Sequence, residues 1–303
     1  MRRSSHRRGL TLFQLLVALA ILLILFALLL PAIAKVRLAA ARMQSQNNLK
    51  QIGLACHNYH DANGFFPPGN DDNHFSAAAH LLPYLEQENL YKLIDFKKSI
   101  DDKANAAVRR TRIQTFLNPM DGITSVTDDY GATNYLYNAG SKFSLENNNG
   151  LFYTNSKIRL QDVPDGLSNT AMAVETLKGN SGVKAMDVRR QYVLLKKEDL
   201  KKLTLESGVT EFKANKHIAG NRCASWMDGR FLQGTFTGTR KVNDPRPDVS
   251  CAGFGGLSGP RSVQNITNLL MADGSVRAVS SDVAPGVWEL LTARNDGKPV
   301  PDF

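Results

Sequence analysis

His57, His60 and Asp61 lie one helical turn apart, so on a helix the two imidazoles share a face and could offer nitrogen ligands to a metal ion. No third ligand stands beside them, and a polar helix face, or His60 closing a helix end, accounts for the same residues. Asp71-Asp72 and Asp128-Asp129 bring paired acids into loops, where calcium chemistry would be sought; their adjacent spacing differs from the alternating oxygens of a calcium loop. Ser258, within Gly255-Gly256-Leu257-Ser258-Gly259-Pro260, lacks the spacing of a nucleophile elbow and reads as part of a Gly-rich loop. Glu175 follows the apolar run Ala171-Met172-Ala173-Val174 and reads as a partly buried carboxylate held by a salt bridge or hydrogen bonds rather than as a catalytic acid. Trp226-Met227-Asp228-Gly229, with Phe231, Phe236 and Phe254, could floor a ligand site, although core and seam packing is the commoner use of such aromatics. The sequence contains neither a P-loop nor a dinucleotide fingerprint. These residues lead to the expectation of a non-enzyme, with no catalytic residue, cofactor or metal.

Three cysteines, Cys56, Cys223 and Cys251, are too few for a disulfide framework. In a head outside the cytoplasm Cys223 and Cys251 could pair, leaving Cys56 alone on the stalk, and spacing does not decide the matter. Of the formal charge of +9, four units come from Arg2, Arg3, Arg7 and Arg8, so a chain trimmed of them carries +5. That balance is only mildly basic and predicts no specific nucleic-acid partner. Downstream charges alternate, as in Lys196-Lys197-Glu198-Asp199-Leu200-Lys201-Lys202, the pattern of a solvated helix face.

The elements that must position these residues begin with an uncharged run from Leu10 to Ala34, long enough as a helix to cross a hydrocarbon core of about 30 Å. Beyond it Val36, Ala39, Met43, Leu49, Ile52, Cys56 and Tyr59 recur at three- and four-residue steps, which predicts one helix from Leu10 to Tyr59, on the order of 75 Å long and kinked at Pro31. Phe65-Phe66-Pro67-Pro68-Gly69 forces an extended passage. Helices are predicted over His80–Tyr91, Lys97–Val108 and Val287–Arg294. Ile113–Leu117 should be extended, and strands are predicted over 134–137, 150–152, 171–174 and 189–195. Asp273-Gly274, between two apolar runs, predicts a hairpin across Asn268–Val279. The fold class expected is α+β: a long N-terminal helix packed on a mostly antiparallel β-sheet head with short helices.

Three fates compete for the N-terminal segment. Ala32-Ile33-Ala34 is a small-residue site that would release a chain starting at Lys35, but the apolar run is roughly twice the length of a signal-peptide core. A permanent anchor would keep Met1. The third fate rests on likeness: Gly9-Leu10-Thr11-Leu12-Phe13-Gln14-Leu15-Leu16-Val17-Ala18-Leu19-Ala20-Ile21-Leu22 resembles the methylation motif of type IV prepilins and type II secretion pseudopilins. In those families a membrane peptidase cleaves after the Gly and the new N-terminal residue is methylated. The resemblance therefore implies processing at Gly9 and Leu10, a leader over 1–9, a transmembrane helix over 10–34, an amphipathic helix over 35–60 and an extracytoplasmic domain over 61–303. Leu10 replaces the usual Phe. Gln14 replaces the Glu thought to pair with a neighbouring subunit's terminal amine, and a neutral amide sits in lipid at lower cost but ties neighbours more weakly.

The likeness extends downstream. Asn47-Asn48-Leu49-Lys50-Gln51-Ile52-Gly53-Leu54-Ala55, His57-Asn58-Tyr59-His60-Asp61, Phe66-Pro67-Pro68-Gly69, Thr133-Asn134-Tyr135, Ser168-Asn169-Thr170, Glu175 and Ala272-Asp273-Gly274-Ser275-Val276 are similar to a large bacterial family, abundant in planctomycete-type genomes. That family fuses a prepilin-type motif to a domain of unknown function. Asn118 stands where the family often has Cys, and Gln264-Asn265 where it has His-Pro-Gly-Gly, which suggests a divergent member with a disulfide missing. The resemblance implies a structural, minor pseudopilin-like subunit of a secretion or pilus-like assembly, single-pass in the bacterial inner membrane with its N-terminus cytoplasmic and its head periplasmic or at the cell surface. Its partners would be the membrane, the prepilin peptidase and other pilin-like subunits. The alternatives are an anchored module recognising a glycan, DNA or a secreted protein, and an exported enzyme.

Overall fold

The computed structural model describes residues 12–181 and 185–301, the side chain of Ala18 excepted. Gly9, Leu10 and the expected leader over 1–9 lie outside the described residues. The chain forms two compact units, 1–43 and 44–303. Helix α1, Leu12–Asn63, starts in the first and ends in the second, and it continues through Pro31 without a break. Its first part carries Gln14 and a row of large apolar side chains, all exposed, from Leu12 to Leu30. Among the described residues it is the one helix long and apolar enough to cross a membrane or to act as a signal sequence.

Within the second unit the expected helical face is present: Ser45, Asn48, Leu49, Ile52, Ala55 and Cys56 are buried at three- and four-residue steps. Gly64, at φ +82°, ends α1 by donating its N–H to the His60 carbonyl at 2.7 Å, a left-handed closure that favours glycine. The predicted helix over His80–Tyr91 is broken into α2, Ala77–Leu81, a 3-10 turn, Leu82–Leu85, and α3, Glu88–Tyr91. Pro83 sits in the first turn of the 3-10 segment and Glu86 takes a left-handed φ of 59° just after it, so the helical path cannot continue. Lys97–Val108 likewise yields only the turn Lys103–Asn105 and α4, Ala106–Arg109. There Asn105 accepts from the Asp95 N–H and donates to the Asp95 and Ser99 carbonyls, holding the segment as a loop. Ile113–Leu117 is not extended throughout, because Gln114–Phe116 forms a 3-10 turn.

Two sheets follow. The first has the order β5-β1-β2-β8-β9, built from β1 Tyr135–Gly140, β2 Ala171–Glu175, β5 Thr235–Thr237, β8 Ile266–Met271 and β9 Val276–Ser280. The second, β4-β3-β6-β7, uses β3 Tyr192–Leu195, β4 Ile218–Ala219, β6 Asp248–Cys251 and β7 Gly256–Leu257. Most pairs are antiparallel; β1 with β5 and β3 with β6 are parallel, joining strands distant in sequence. The β8–β9 hairpin is the one expected: Leu270 faces Val276 across a turn in which Gly274 takes φ +82° and the Asp273 carboxylate accepts from the Ser275 N–H. Residues 150–152 form no strand. Two short helices complete the head, α5 Val209–Lys213 and α6 Pro285–Thr292, where Trp288 and Leu291 pack beside Phe236 over the first sheet. Lys197–Lys202, expected as a charged helical face, is a 3-10 segment with no buried residue.

The β6–β7 pair depends on one glycine. Gly256, at φ +155°, faces Ser250, and an added Cβ would lie 1.8 Å from the Val249 carbonyl oxygen. Gly256→Ala is expected to destabilise the head by about 1–3 kcal/mol, read as a lower urea midpoint; an unchanged midpoint would show that the strand can move away.

Candidate functional site

Three buried carboxylate clusters of the head meet at the segment leaving β2, Glu175-Thr176-Leu177-Lys178, all of it buried. Glu175 accepts from Ser45 Oγ of α1 at 2.5 Å, from Asn118 Nδ2 at 2.6 Å and from Asn268 Nδ2 of β8 at 2.7 Å. Tyr135, opening β1, shares a hydrogen bond of 2.9 Å with the same Ser45 hydroxyl, and Asn48 donates to the Leu117 carbonyl at 2.9 Å. Burial, then the neighbouring Glu175 charge, pushes the Tyr135 phenol well above its ordinary range, so it stays a neutral donor. Asn118, which stands where the resemblance leads one to expect Cys, here serves the carboxylate directly.

One residue on, the Thr176 hydroxyl accepts from Arg222 Nη2 at 2.9 Å and from the Arg261 N–H at 3.0 Å. Both guanidinium groups clamp Asp248, the first residue of β6: Arg222 Nη1 reaches one carboxylate oxygen and Arg261 Nη2 the other. Arg222, Arg240, Arg261 and Asp248 are all buried. Arg240 Nη1 donates to the Pro247 carbonyl and Nη2 to the Ser207 carbonyl at 3.0 Å. Burial alone would raise the Asp248 carboxyl, but Arg261 and then Arg222 override it and hold the group below the usual carboxylate range. Burial depresses the Arg240 guanidinium to about 10. The Asp248 cluster therefore ties the second sheet to the first.

Lys178 closes the segment against a third carboxylate. Asp121 accepts from the Lys178 N–H at 2.9 Å and from Asn134 Nδ2 at 2.8 Å, and it pairs with Arg190 at 2.9 Å and Lys178 Nζ at 3.8 Å. Burial opposes this charge, and Lys178 and Arg190 together still keep Asp121 low. All three carboxylates meet donors at both oxygens, an arrangement that holds elements together.

The other sequence candidates are dispersed. Cys223 and Cys251 are buried free thiols, so the candidate disulfide is not formed: Cys223 packs in the cluster under the first sheet with Phe236, whereas Cys251 ends β6 in the second sheet opposite Leu195. Burial raises both thiols, Cys251 to about 11 and Cys223 to about 12. His57 and His60 pack on Phe66, with ring centroids 5.8 and 5.1 Å away, and His60 Nε2 accepts from the Leu160 N–H at 3.3 Å. Among the described residues no group of three His, Cys, Asp or Glu side chains could hold a metal. Asp71 accepts from the Asn73 and Phe75 N–H groups and pairs with His80 at 3.2 Å, Asp72 accepts from Asn155, and Asp129 pairs with Arg110. Ser258 both accepts from and donates to the Thr237 backbone at 3.0 Å. The Trp226 indole donates to the Thr111 carbonyl within the core. Asp121, Asp248 and the buried arginines escaped sequence reading, because their partners lie tens of residues away.

A family model described as a protein of unknown function, DUF1559, matches residues 34–286. No curated protein and no solved structure matches the chain.

Proposed function

The chain belongs to the DUF1559 family, and from that premise we propose that it is a membrane-anchored, pseudopilin-like structural subunit, minor rather than bulk, of a type II secretion or type IV pilus-like assembly. The observation that carries this reading is α1, a single helix of 52 residues whose first part is exposed and apolar and whose last part, from Ser45, is built into the head's own core. The family match begins at Ala34, the end of the uncharged run, so the apolar segment lies ahead of the matched residues. The prepilin-like motif around Gly9 and Leu10 supports processing by a prepilin peptidase. In this reading the apolar segment anchors the protein in the bacterial inner membrane, N-terminus cytoplasmic and head outside, and then leaves the bilayer to join a bundle of like helices. Burying an uncharged apolar helix among its equals requires no ion pair, which suits Gln14, and the weaker tie to neighbours favours a minor position. The role is structural rather than enzymatic, and the buried Glu175 cluster serves it by fixing the last part of α1 within the head through Ser45.

The mature N-terminus tests this reading. Mass spectrometry of the membrane fraction should find a chain beginning at methylated Leu10. A chain beginning at Lys35 would establish secretion instead, and an intact Met1 a signal anchor; either overturns the proposal.

A further inference from the structure

A cavity of about 310 Å³ opens beside the second sheet, walled by Tyr192 and Leu194 of β3, by the turn after β6 at Ala252 and Gly253, and by the loops carrying Tyr130 and Asn221. Its volume falls at the lower end of the ~300–1,000 Å³ typical of small-molecule sites. Ala252, a non-glycine residue, is held at φ 49° on its rim, a conformation that costs free energy and that the fold nevertheless maintains.

The chemistry of the wall selects among ligands. Among the described residues Arg230 is the one cation lining the cavity, and it is neutralised from two sides: Nε lies 2.9 Å and Nη2 2.7 Å from the two oxygens of Asp228, and Nη1 lies 3.2 Å from Asp101. An anion would meet more negative than positive charge there, and a cation would have to take Asp228 from Arg230. What remains is neutral and polar. Ser225 is 2% exposed, and its Oγ has no hydrogen-bond partner among the described residues; the Thr127 hydroxyl is also buried without one. A buried hydroxyl lacking a partner costs free energy, which a ligand hydroxyl would recover once rotation about χ1 brings the oxygen to the cavity surface. Tyr192 donates its phenol proton to Asn221 Oδ1 at 2.7 Å, which orients the exposed Asn221 amide at the cavity wall. Tyr130 and Phe231 add aromatic surface.

From these features we infer that this cavity binds a neutral polyhydroxylated ligand, a pyranose sugar ring, whose hydroxyls meet Ser225, Thr127 and Asn221 and whose apolar C–H face lies against the aromatic wall. This inference is independent of the assembly reading, since every residue it uses lies in the head and none in α1. The test uses the full chain in a sugar-free zwitterionic detergent, titrated by calorimetry with methyl α-glucopyranoside, methyl β-galactopyranoside and N-acetylglucosamine. At least one should bind saturably. Asn221→Ala, an exposed substitution, and Ser225→Ala, a single-atom deletion, should each weaken that binding more than tenfold while the circular dichroism spectrum is unchanged. Absence of saturable binding by all three sugars would overturn the inference, as would equal affinity in both variants or tighter binding of inorganic phosphate or spermidine.

Discussion

Asp248→Ala is expected to destabilise the head by about 3–5 kcal/mol, enough to consume a large part of the ~5–15 kcal/mol that holds a typical domain folded. Asp248 is fully buried and faces two guanidinium groups, with Arg240 buried close by. Moving such charges out of water is costly, and their mutual attraction offsets that cost only while the carboxylate is present. Without it, Arg222 and Arg261 remain tied to backbone carbonyls and Thr176 but carry unmatched charge in the seam between the sheets. Replacing the whole cluster with apolar side chains could be neutral; removing one carboxylate from it cannot. Urea unfolding followed by the fluorescence of Trp226 and Trp288 reads the effect, and at ~1–3 kcal/mol per molar urea the midpoint should fall by roughly 1–5 M. A loss below about 1 kcal/mol would mean that water reaches the guanidinium groups.

The same cluster sets the acid limit. The Asp248 carboxyl titrates lower in the folded head than in the unfolded chain, where about 3.9 is normal. Its contribution is therefore complete above about pH 4 and is lost as pH falls through the depressed folded value, and Asp121 acts in the same direction. Asp248→Asn should flatten that acid limb; a limb identical to the parent's would assign the acid sensitivity elsewhere.

Glu175→Leu is expected to cost a similar ~3–5 kcal/mol by another route, because it leaves three buried donors, Ser45, Asn118 and Asn268, without their acceptor. Each orphaned donor costs ~1–3 kcal/mol, and the sum is less than additive because the groups share one site. Since Ser45 is the α1 member of the cluster, the damage should concentrate there. Amide exchange over 45–59 should accelerate more than exchange in β8, and uniform acceleration would show that the carboxylate serves the whole core equally. Glu175→Gln keeps the shape and one acceptor oxygen, so about 1–2 kcal/mol is expected, with the two asparagine amides able to turn toward it.

Thr176 and Lys178 show why so little of this was visible in the chain. Each looks ordinary beside Glu175, yet one organises the Asp248 cluster and the other the Asp121 cluster. Their partners come from a loop before β1 and from loops and strands after β3, separations at which residue type carries no pairing information. The second sheet was largely missed for the same reason. β4 and β7 are two residues each, too short for a period-2 signal, and β3 finds its parallel partner β6 more than fifty residues on.

Features encoded within one or two turns were determined by the sequence alone. The apolar run of α1, its buried face through Leu49, Ile52 and Cys56, the Asp273-Gly274 hairpin and α6 follow from periodicity, turn chemistry and hydropathy, which act over a few residues. Tertiary structure decided the rest: that Cys223 and Cys251 remain apart, that Glu175 binds the helix, that Asp248 joins the sheets, and that a cavity opens beside the second sheet. Those outcomes depend on which distant groups share a low-dielectric interior, and only the folded chain brings them together there.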